Sequence, residues 1–255
     1  MSALLNSVDA WLIAVVLAAA IFATWGVGLW MGGRERSHDP EAPASRLNDA
    51  SLALLGLLLG FTFSMSLAKH EQRRTMVVTD SNAIGDFYTC VSLLKQPVRG
   101  RLQRAVRNYT EHRIGLADPA LDDAGLQIKL GEIQEMHDQM QALVKEAVDE
   151  GTSVTNPLVN TFNNLTSSHA ERLAAVRDNL PGSVILLLFV AAIVSMGLVG
   201  EQQGASGERR PGATIAFVAV ISMVVWVTLD MNQPRRGMII VSQEPMHRLL
   251  SGMEK

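Results

Sequence analysis

The chain has 255 residues and a mass of 27.7 kDa; 48% of its residues are hydrophobic and only 18% are charged. Soluble domains usually carry about 25% charged residues, so this composition is typical of a membrane protein. A net charge of −3 gives no electrostatic basis for binding nucleic acid. The single cysteine, Cys90, excludes an internal disulfide. A disordered chain, a disulfide scaffold and an ordinary soluble enzyme are therefore excluded.

Four segments contain no charged residue and no histidine: residues 10–31, 50–68, 182–200 and 212–229. A helix of about 18 to 22 residues is about 27 to 33 Å long, which matches the hydrocarbon thickness of roughly 30 Å. All nine prolines lie outside these segments. We therefore predict four transmembrane helices. No basic residue precedes the first segment, so we expect it to be retained and not cleaved as a signal peptide.

The region between the second and third spans is predicted to be helical, because its apolar residues recur every three to four positions. Pro97, Pro119 and Pro157 divide the region into four segments; Val77, Ile84 and Val91 repeat every seven residues in the first, and similar seams occur in the third and fourth. The seams pack either within one helical bundle or between chains as a coiled coil. No strong helix breaker follows the second span before Pro97, so that span is expected to continue out of the membrane as one helix.

The predicted fold is an all-α membrane protein with a helical, coiled-coil-like soluble domain between the second and third spans. Its divisions are a first helix pair in residues 1–68, a soluble domain in 69–181, a second helix pair in 182–229 and a tail in 230–255. Basic residues near the spans are more numerous on the side of the soluble domain, which favours a cytoplasmic domain and cytoplasmic termini. The first span alone favours the opposite orientation. We expect a multi-pass protein of the cell (inner) membrane, with the lipid bilayer as its first partner.

Small residues recur every four positions in the second span, at Gly56, Gly60, Ser64 and Ala68. Such a stripe allows helices to approach closely in lipid, where apolar burial alone does not drive helix association. The stripe either lines a path or an oligomer contact, or packs within one four-helix unit. No span contains an ionisable residue, which argues against a proton-coupled carrier. A pore with an apolar constriction needs no charge and stays open as an interpretation.

Charge is segregated in the soluble region. Residues 95–113 carry six basic side chains and only one acid, Glu111, whereas residues 118–150 are strongly acidic. The two segments either attract each other as paired helices or leave a basic surface for anions and lipid headgroups. The candidate basic surface consists of Arg99, Arg101, Arg104 and Arg107.

Neither catalysis nor metal binding is indicated by the sequence, and we expect no enzyme activity, cofactor, metal site or nucleic-acid partner. The stretch from Asp80 to Gly85 begins like a calcium loop, but Ile84 and Val91 stand where ligands are required. Cys90 is expected to be a small core residue. After the fourth span, Asp230 precedes Arg235 and Arg236, which predicts a membrane-exit ion pair that either steadies the helix end or latches another helix.

Several motifs together resemble the bacterial bestrophin-like domain family, from about residue 50 to residue 246. They are residues 54–64 (LLGLLLGFTFS), 71–74 (EQRR), 82–85 (NAIG), and Asp230 with residues 234–237 (PRRG) and 241–243 (VSQ). The family name implies a relation to bestrophins, which are pentameric anion channels with two spans, a long cytosolic helical region and two more spans. The resemblance therefore implies a homo-oligomer, a pentamer, whose second span lines a pore.

In bestrophins the second span carries apolar and aromatic residues at the pore, and Phe61 and Phe63 lie in the corresponding span as the candidate constriction. The acidic calcium clasp of animal bestrophins has no counterpart in this sequence. Two functions follow as hypotheses. One is an oligomeric ion channel, by resemblance one that conducts anions. The other is a membrane-anchored helical scaffold without transport activity, whose soluble domain recruits a partner.

Overall fold

The structure, a computed structural model, describes residues 8–34, 43–118, 120–207, 210–234 and 237–253. The described residues form eight α-helices and no β-strand. In chain order the helices are α1 Ala10–Arg34, α2 Pro43–Ser92, α3 Val98–Gly115, α4 Asp123–Asp149, α5 Thr155–Arg177, α6 Gly182–Ser206, α7 Pro211–Asn232 and α8 Glu244–Gly252. The prediction of an all-α fold is confirmed.

Four helices are long and apolar enough to cross a membrane, and they contain the four charge-free segments: α1, α2, α6 and α7. Pro211 is the first residue of α7 and Pro181 caps the start of α6, where a missing backbone donor costs nothing. α2 continues for 50 residues as one helix, as the absence of a breaker before Pro97 predicted. The four predicted spans are therefore confirmed.

The described residues divide into two compact units. The membrane unit takes its residues from Met1–His70 and Asn179–Ile239, and the soluble unit from Glu71–Asp178 and Ile240–Lys255. The segment predicted as one tail, residues 230–255, contributes to both units.

The membrane unit is built from α1, α6, α7 and the first part of α2. α1 packs against both α6 and α7, and the core contains Ile21, Leu188, Ala192, Ile221 and Val225. Many large apolar side chains point outward and stay exposed, in contrast to a soluble protein, in which Leu, Ile, Val and Phe are among the side chains most often buried. One example from each of the four helices is Trp11, Phe61, Leu187 and Val220. These outward faces suit lipid or another protein chain.

The soluble unit buries its predicted seams in one core of its own. Val77, Ile84 and Val91 are at most 3% exposed, and Met140 and Leu165 pack into the same cluster. α3 packs against α4, and α4 against α5. The seams therefore serve packing within one chain, which answers the alternative left open by the sequence. The structure does not confirm a coiled coil.

Two boundaries in the soluble unit differ from the proline positions that suggested them. α4 ends before Gly151, whose φ of +76° favours glycine, and α5 begins at Thr155. Pro157 lies within the first turn of α5, where proline is tolerated, so it does not divide two segments. The helix break is made by the glycine.

The last helix, α8, is absent from the sequence prediction. It packs against α3 and places Met246 in the soluble core, fully buried, with Met253 8% exposed. The Ser81 hydroxyl donates to the Pro245 carbonyl at 3.0 Å, and Tyr88 donates to the Met253 carbonyl at 3.4 Å. The C-terminal segment is thus part of the soluble core.

Candidate functional site

One face of α2 packs on its own chain within the membrane unit. Leu55, Thr62 and Ser66 are at most 2% exposed and follow one another at spacings of seven and four residues. Ser66 donates its hydroxyl to the Thr228 carbonyl of α7 at 2.7 Å. The Thr62 hydroxyl turns back to the Leu58 carbonyl at 2.8 Å. Every described hydroxyl on this buried face therefore has an acceptor.

The predicted small-residue stripe lies on the opposite face of α2. Gly56, Gly60, Ser64 and Ala68 are all exposed, and a Cβ placed at either glycine would have no atom within 4 Å. At about 100° per residue, the stripe is centred about 180° from Thr62. The described part of the chain does not cover this face, so the alternative of packing within one four-helix unit does not hold for it.

Phe61 and Phe63, the candidate constriction, flank the stripe. Their side chains are 60% and 37% exposed. Two positions apart on a helix, they point about 200° apart, one on each side of Thr62. No single axis can therefore be faced by both rings of one chain. Together the stripe and the two rings form the outward face of α2.

Close glycine packing does occur in the membrane unit, but between α1 and α6. A Cβ at Gly28 would overlap the Gly197 carbonyl, one at Gly32 would overlap Glu201, and one at Gly200 would overlap Trp25. Gly28-x-x-x-Gly32 and Gly200-x-x-x-Gly204 are therefore the small-residue motifs that let two backbones meet. Both motifs are visible in the sequence, but the sequence prediction did not include them.

Asp230 closes the turn that follows α7. Its carboxylate accepts the backbone N–H of Met238 at 2.9 Å and of Ile239 at 2.8 Å. Gly237 has a φ of +101°, and a Cβ there would overlap the same carboxylate. These contacts explain why an aspartate and a glycine occur seven residues apart. The predicted partners Arg235 and Arg236 lie outside the described residues.

The candidate basic surface is partly neutralised. Arg101 forms an ion pair with Glu146 of α4, and Arg107 pairs with Glu111 at 3.2 Å. The hydrogen bond that Arg101 donates to the Glu146 carboxylate raises the pKa of Arg101. Arg104 is exposed and Arg99 is half-buried. The basic and acidic segments thus meet along α3 and α4, as expected for attracting helices, and surface pairs of this kind add little to stability.

A buried charge cluster in the soluble unit was not predicted. Asp80 of α2, fully buried, accepts a hydrogen bond from Arg113 of α3 and one from Arg172 of α5 at 2.8 Å. Ser168 donates to the second carboxylate oxygen at 3.1 Å, and Arg172 also donates to Gln243. Asp80, the first residue of the stretch that begins like a calcium loop, is therefore bound to two guanidinium groups. The described residues contain no group of acids, histidines or cysteines able to hold a metal ion.

Two further side chains border this cluster. The rings of Tyr109 and His169 have centroids 6.4 Å apart, and the Arg113 guanidinium lies 6.0 Å from the Tyr109 ring centroid. Burial raises the pKa of Tyr109 to about 12. Burial, with a smaller contribution from Arg113, lowers the pKa of His169 to about 4, so the imidazole is neutral at pH 7.

The remaining motif residues have structural roles. Arg73, in the segment 71–74, donates to the carbonyls of Ala175 at 3.1 Å and Asp178 at 2.9 Å, at the C-terminal end of α5. Gly85 faces Leu249 of α8, which would lie 3.2 Å from an added Cβ. Cys90 is 6% exposed in the soluble core, which confirms that prediction.

Comparison with known proteins gives one match. The family model described as the Bestrophin-like domain matches residues 14–246, so the similarity includes most of the first span, which the motifs alone had not covered. No curated protein and no solved structure is significantly similar to the chain. The match spans most of the chain and contains the outward face of α2, the buried charge cluster and the Asp230 turn. The chain belongs to the bestrophin-like domain family.

Proposed function

We propose that this protein is the subunit of a homo-oligomeric ion channel in which copies of α2 surround the ion path. The observation that carries the proposal is the outward face of α2. Large apolar residues such as Phe61 are exposed beside glycines on a helix whose other face is satisfied within its own chain. Membership of the bestrophin-like family supports the same arrangement.

The order of side chains around α2 suggests how the copies pack. If the stripe of Gly56, Gly60, Ser64 and Ala68 faces the path, Phe61 and Phe63 lie on its two sides, against neighbouring copies. The contact between each pair of neighbouring copies is then apolar. A pore of this kind can close by excluding water, which requires no charged residue. If the helix is rotated, one of the two rings faces the path and forms the constriction.

The chemistry of the spans favours a passive path. A proton-coupled carrier needs an ionisable residue within its spans, and none occurs in the four charge-free segments. Conduction requires no catalytic residue, cofactor or bound metal. We place the protein in the cell (inner) membrane with the soluble unit, which carries the basic residues Arg99 and Arg104, in the cytoplasm, and the bestrophin resemblance implies an anion path. Anion conduction is therefore the selectivity we expect.

A flux assay with a matched pair of glycine variants tests the proposal. Purified protein in liposomes is assayed for chloride and potassium flux. Gly60→Leu adds a branched side chain to the exposed stripe, and we expect it to change the flux at least tenfold. Gly26→Leu makes the same change on α1, where an added Cβ also meets no atom within 4 Å, and should leave the flux unaltered. Orientation and density of the reconstituted variants are compared by protease accessibility.

The scaffold is the alternative outcome. Absence of chloride and potassium flux across pH, calcium concentration and voltage would reject the channel. Equal flux from Gly60→Leu and the wild type would reject the assignment of the path to α2. A scaffold would instead need the soluble unit for partner binding, and its activity would be unaffected by Gly60→Leu.

A further inference from the structure

The buried charge cluster carries an unbalanced charge. Asp80 is the only carboxylate among the described residues that contacts Arg113 or Arg172, and all three side chains are at most 9% exposed. Two guanidinium groups and one carboxylate leave one net positive charge, because His169 and Tyr109 are both neutral at pH 7. An uncompensated charge inside a protein strongly destabilises the folded state unless a counter-charge accompanies it.

The same cluster contains donors that are not used. Among the described residues, the Nε of Arg113 and the hydroxyl of Tyr109 are buried and have no hydrogen-bond partner. The two residues are one helical turn apart on α3, so their side chains lie on the same face. Buried donors are almost always satisfied in native proteins. Both unused groups can donate to a negatively charged acceptor.

We propose that the soluble unit binds one small monovalent inorganic anion, of the size of chloride, beside Arg113 and Tyr109. The anion supplies the missing negative charge and accepts from the Arg113 Nε–H and the Tyr109 O–H. The neutral His169 ring, whose centroid is 6.4 Å from that of Tyr109, has a buried Nδ1 that is also without a hydrogen-bond partner among the described residues. This site is in the soluble unit, separate from the outward face of α2, and it stands whether or not the protein conducts.

Charge and donor number select the class of anion. The net charge of the cluster is balanced by a single negative charge, so a dianion such as phosphate would leave an excess of the opposite sign. Arg172 uses one Nη on Asp80 and the other on Gln243, and Arg113 uses its Nη2 on Asp80, so neither guanidinium offers its full pair of Nη atoms to a carboxylate or phosphate. Two single donors suit a compact anion.

Anion-dependent thermal unfolding of the full chain in detergent tests the site. Sodium chloride or bromide is exchanged for sodium gluconate at constant ionic strength, so that general screening is unchanged. A ligand of the folded state should raise Tm by about 3–6 °C for each tenfold increase in its concentration above the dissociation constant. Calorimetric titration of bromide into protein in gluconate should give one site per chain.

Two variants locate the site. Tyr109→Phe removes one donor and keeps the ring, and should weaken bromide binding at least tenfold. Lys145→Gln removes an exposed cation of α4 and should leave binding unchanged. Identical Tm values in chloride and gluconate, with no bromide titration, would overturn the proposal. Unchanged bromide binding by Tyr109→Phe would also overturn it. If that variant does not fold, the bromide titration of the wild-type protein decides whether the anion site exists.

Discussion

At the scale of single residues, His169 shows how the buried cluster makes stability depend on pH. The charged and titratable groups that act on it are Arg113, Asp80, His137 and Arg172. Its imidazole is kept neutral because burial opposes the charged form and the nearest guanidinium repels it. Protonation of the folded protein is therefore harder than protonation of the unfolded chain.

The pH prediction follows from the two pKa values of His169. The pKa is about 4 in the folded protein and 6.5 ordinarily, so between those values only the unfolded chain binds the proton. The free energy of unfolding should therefore decrease as pH falls from about 6.5 to about 4, and His169→Gln should remove that part of the decrease. Thermal unfolding measured every half pH unit checks this. His247→Gln, at an exposed position, should keep the wild-type dependence of stability on pH. If His169→Gln also kept the wild-type dependence, the prediction would be contradicted.

Charged residues on apolar seams were the unused signal for the cluster. Asp80 lies between Val77 and Ile84, at the three-and-four spacing of a buried face, and Arg113 follows Val106 by seven residues. A sequence shows that such a residue faces the core, but it does not show which distant residue meets it. The pairing of Asp80 with Arg172 depends on the packing of α2 against α5, which no local pattern encodes.

At the scale of helices, span number and seam residues were predictable because apolar periodicity reports burial directly. Which helix faces pack against each other was not predictable. Small-residue motifs occur on α1, α2 and α6, and only the structure shows that the α1 and α6 motifs meet. Met246 and Leu249 of α8, with Met253 directly after its end, have the spacing of a buried face, but a helix of 9 residues is too short to be convincing alone.

A glycine substitution tests the α1–α6 contact. Gly200→Leu would place a side chain where the Trp25 backbone lies, and overpacking a closely packed site costs about 1–3 kcal/mol, occasionally more. We expect at least the upper end of that range, seen as a lower Tm or loss of the protein from the membrane fraction. Gly26→Leu, on an open face of α1, should behave as wild type. A Gly200→Leu protein as stable as the wild type would show that the two helices do not meet there.

At the scale of the whole molecule, the composition and the four spans established a membrane protein, and the family match agrees. Neither observation gives the number of copies in the assembly. The chain buries one face of α2 and leaves the other exposed, and the copy number depends on what covers the exposed face. The exposed face is mostly apolar, with Ser64 as a polar residue in the stripe, so lipid and a second copy are both suitable neighbours for it. A sequence pattern shows that a face is apolar, but it does not show whether lipid or a second copy covers that face.

Mass measurement in nanodiscs decides between them. We expect particles with several copies of the 27.7 kDa chain, five by the bestrophin resemblance, and a lower copy number or broader distribution for Gly60→Leu. Gly26→Leu should keep the wild-type mass. A single copy per nanodisc at all protein-to-lipid ratios would contradict the homo-oligomer.

The burial of Met246 and Met253 has a consequence for how the protein is made. The core they complete is otherwise built from residues 77–165, so it stays unfinished on the ribosome until α6 and α7 have been synthesised. For that interval the apolar surface awaiting α8 is open to chaperones and to other nascent chains. A tag or truncation near Met253 would therefore impair maturation of residues synthesised far earlier, while insertion of the spans themselves proceeds normally.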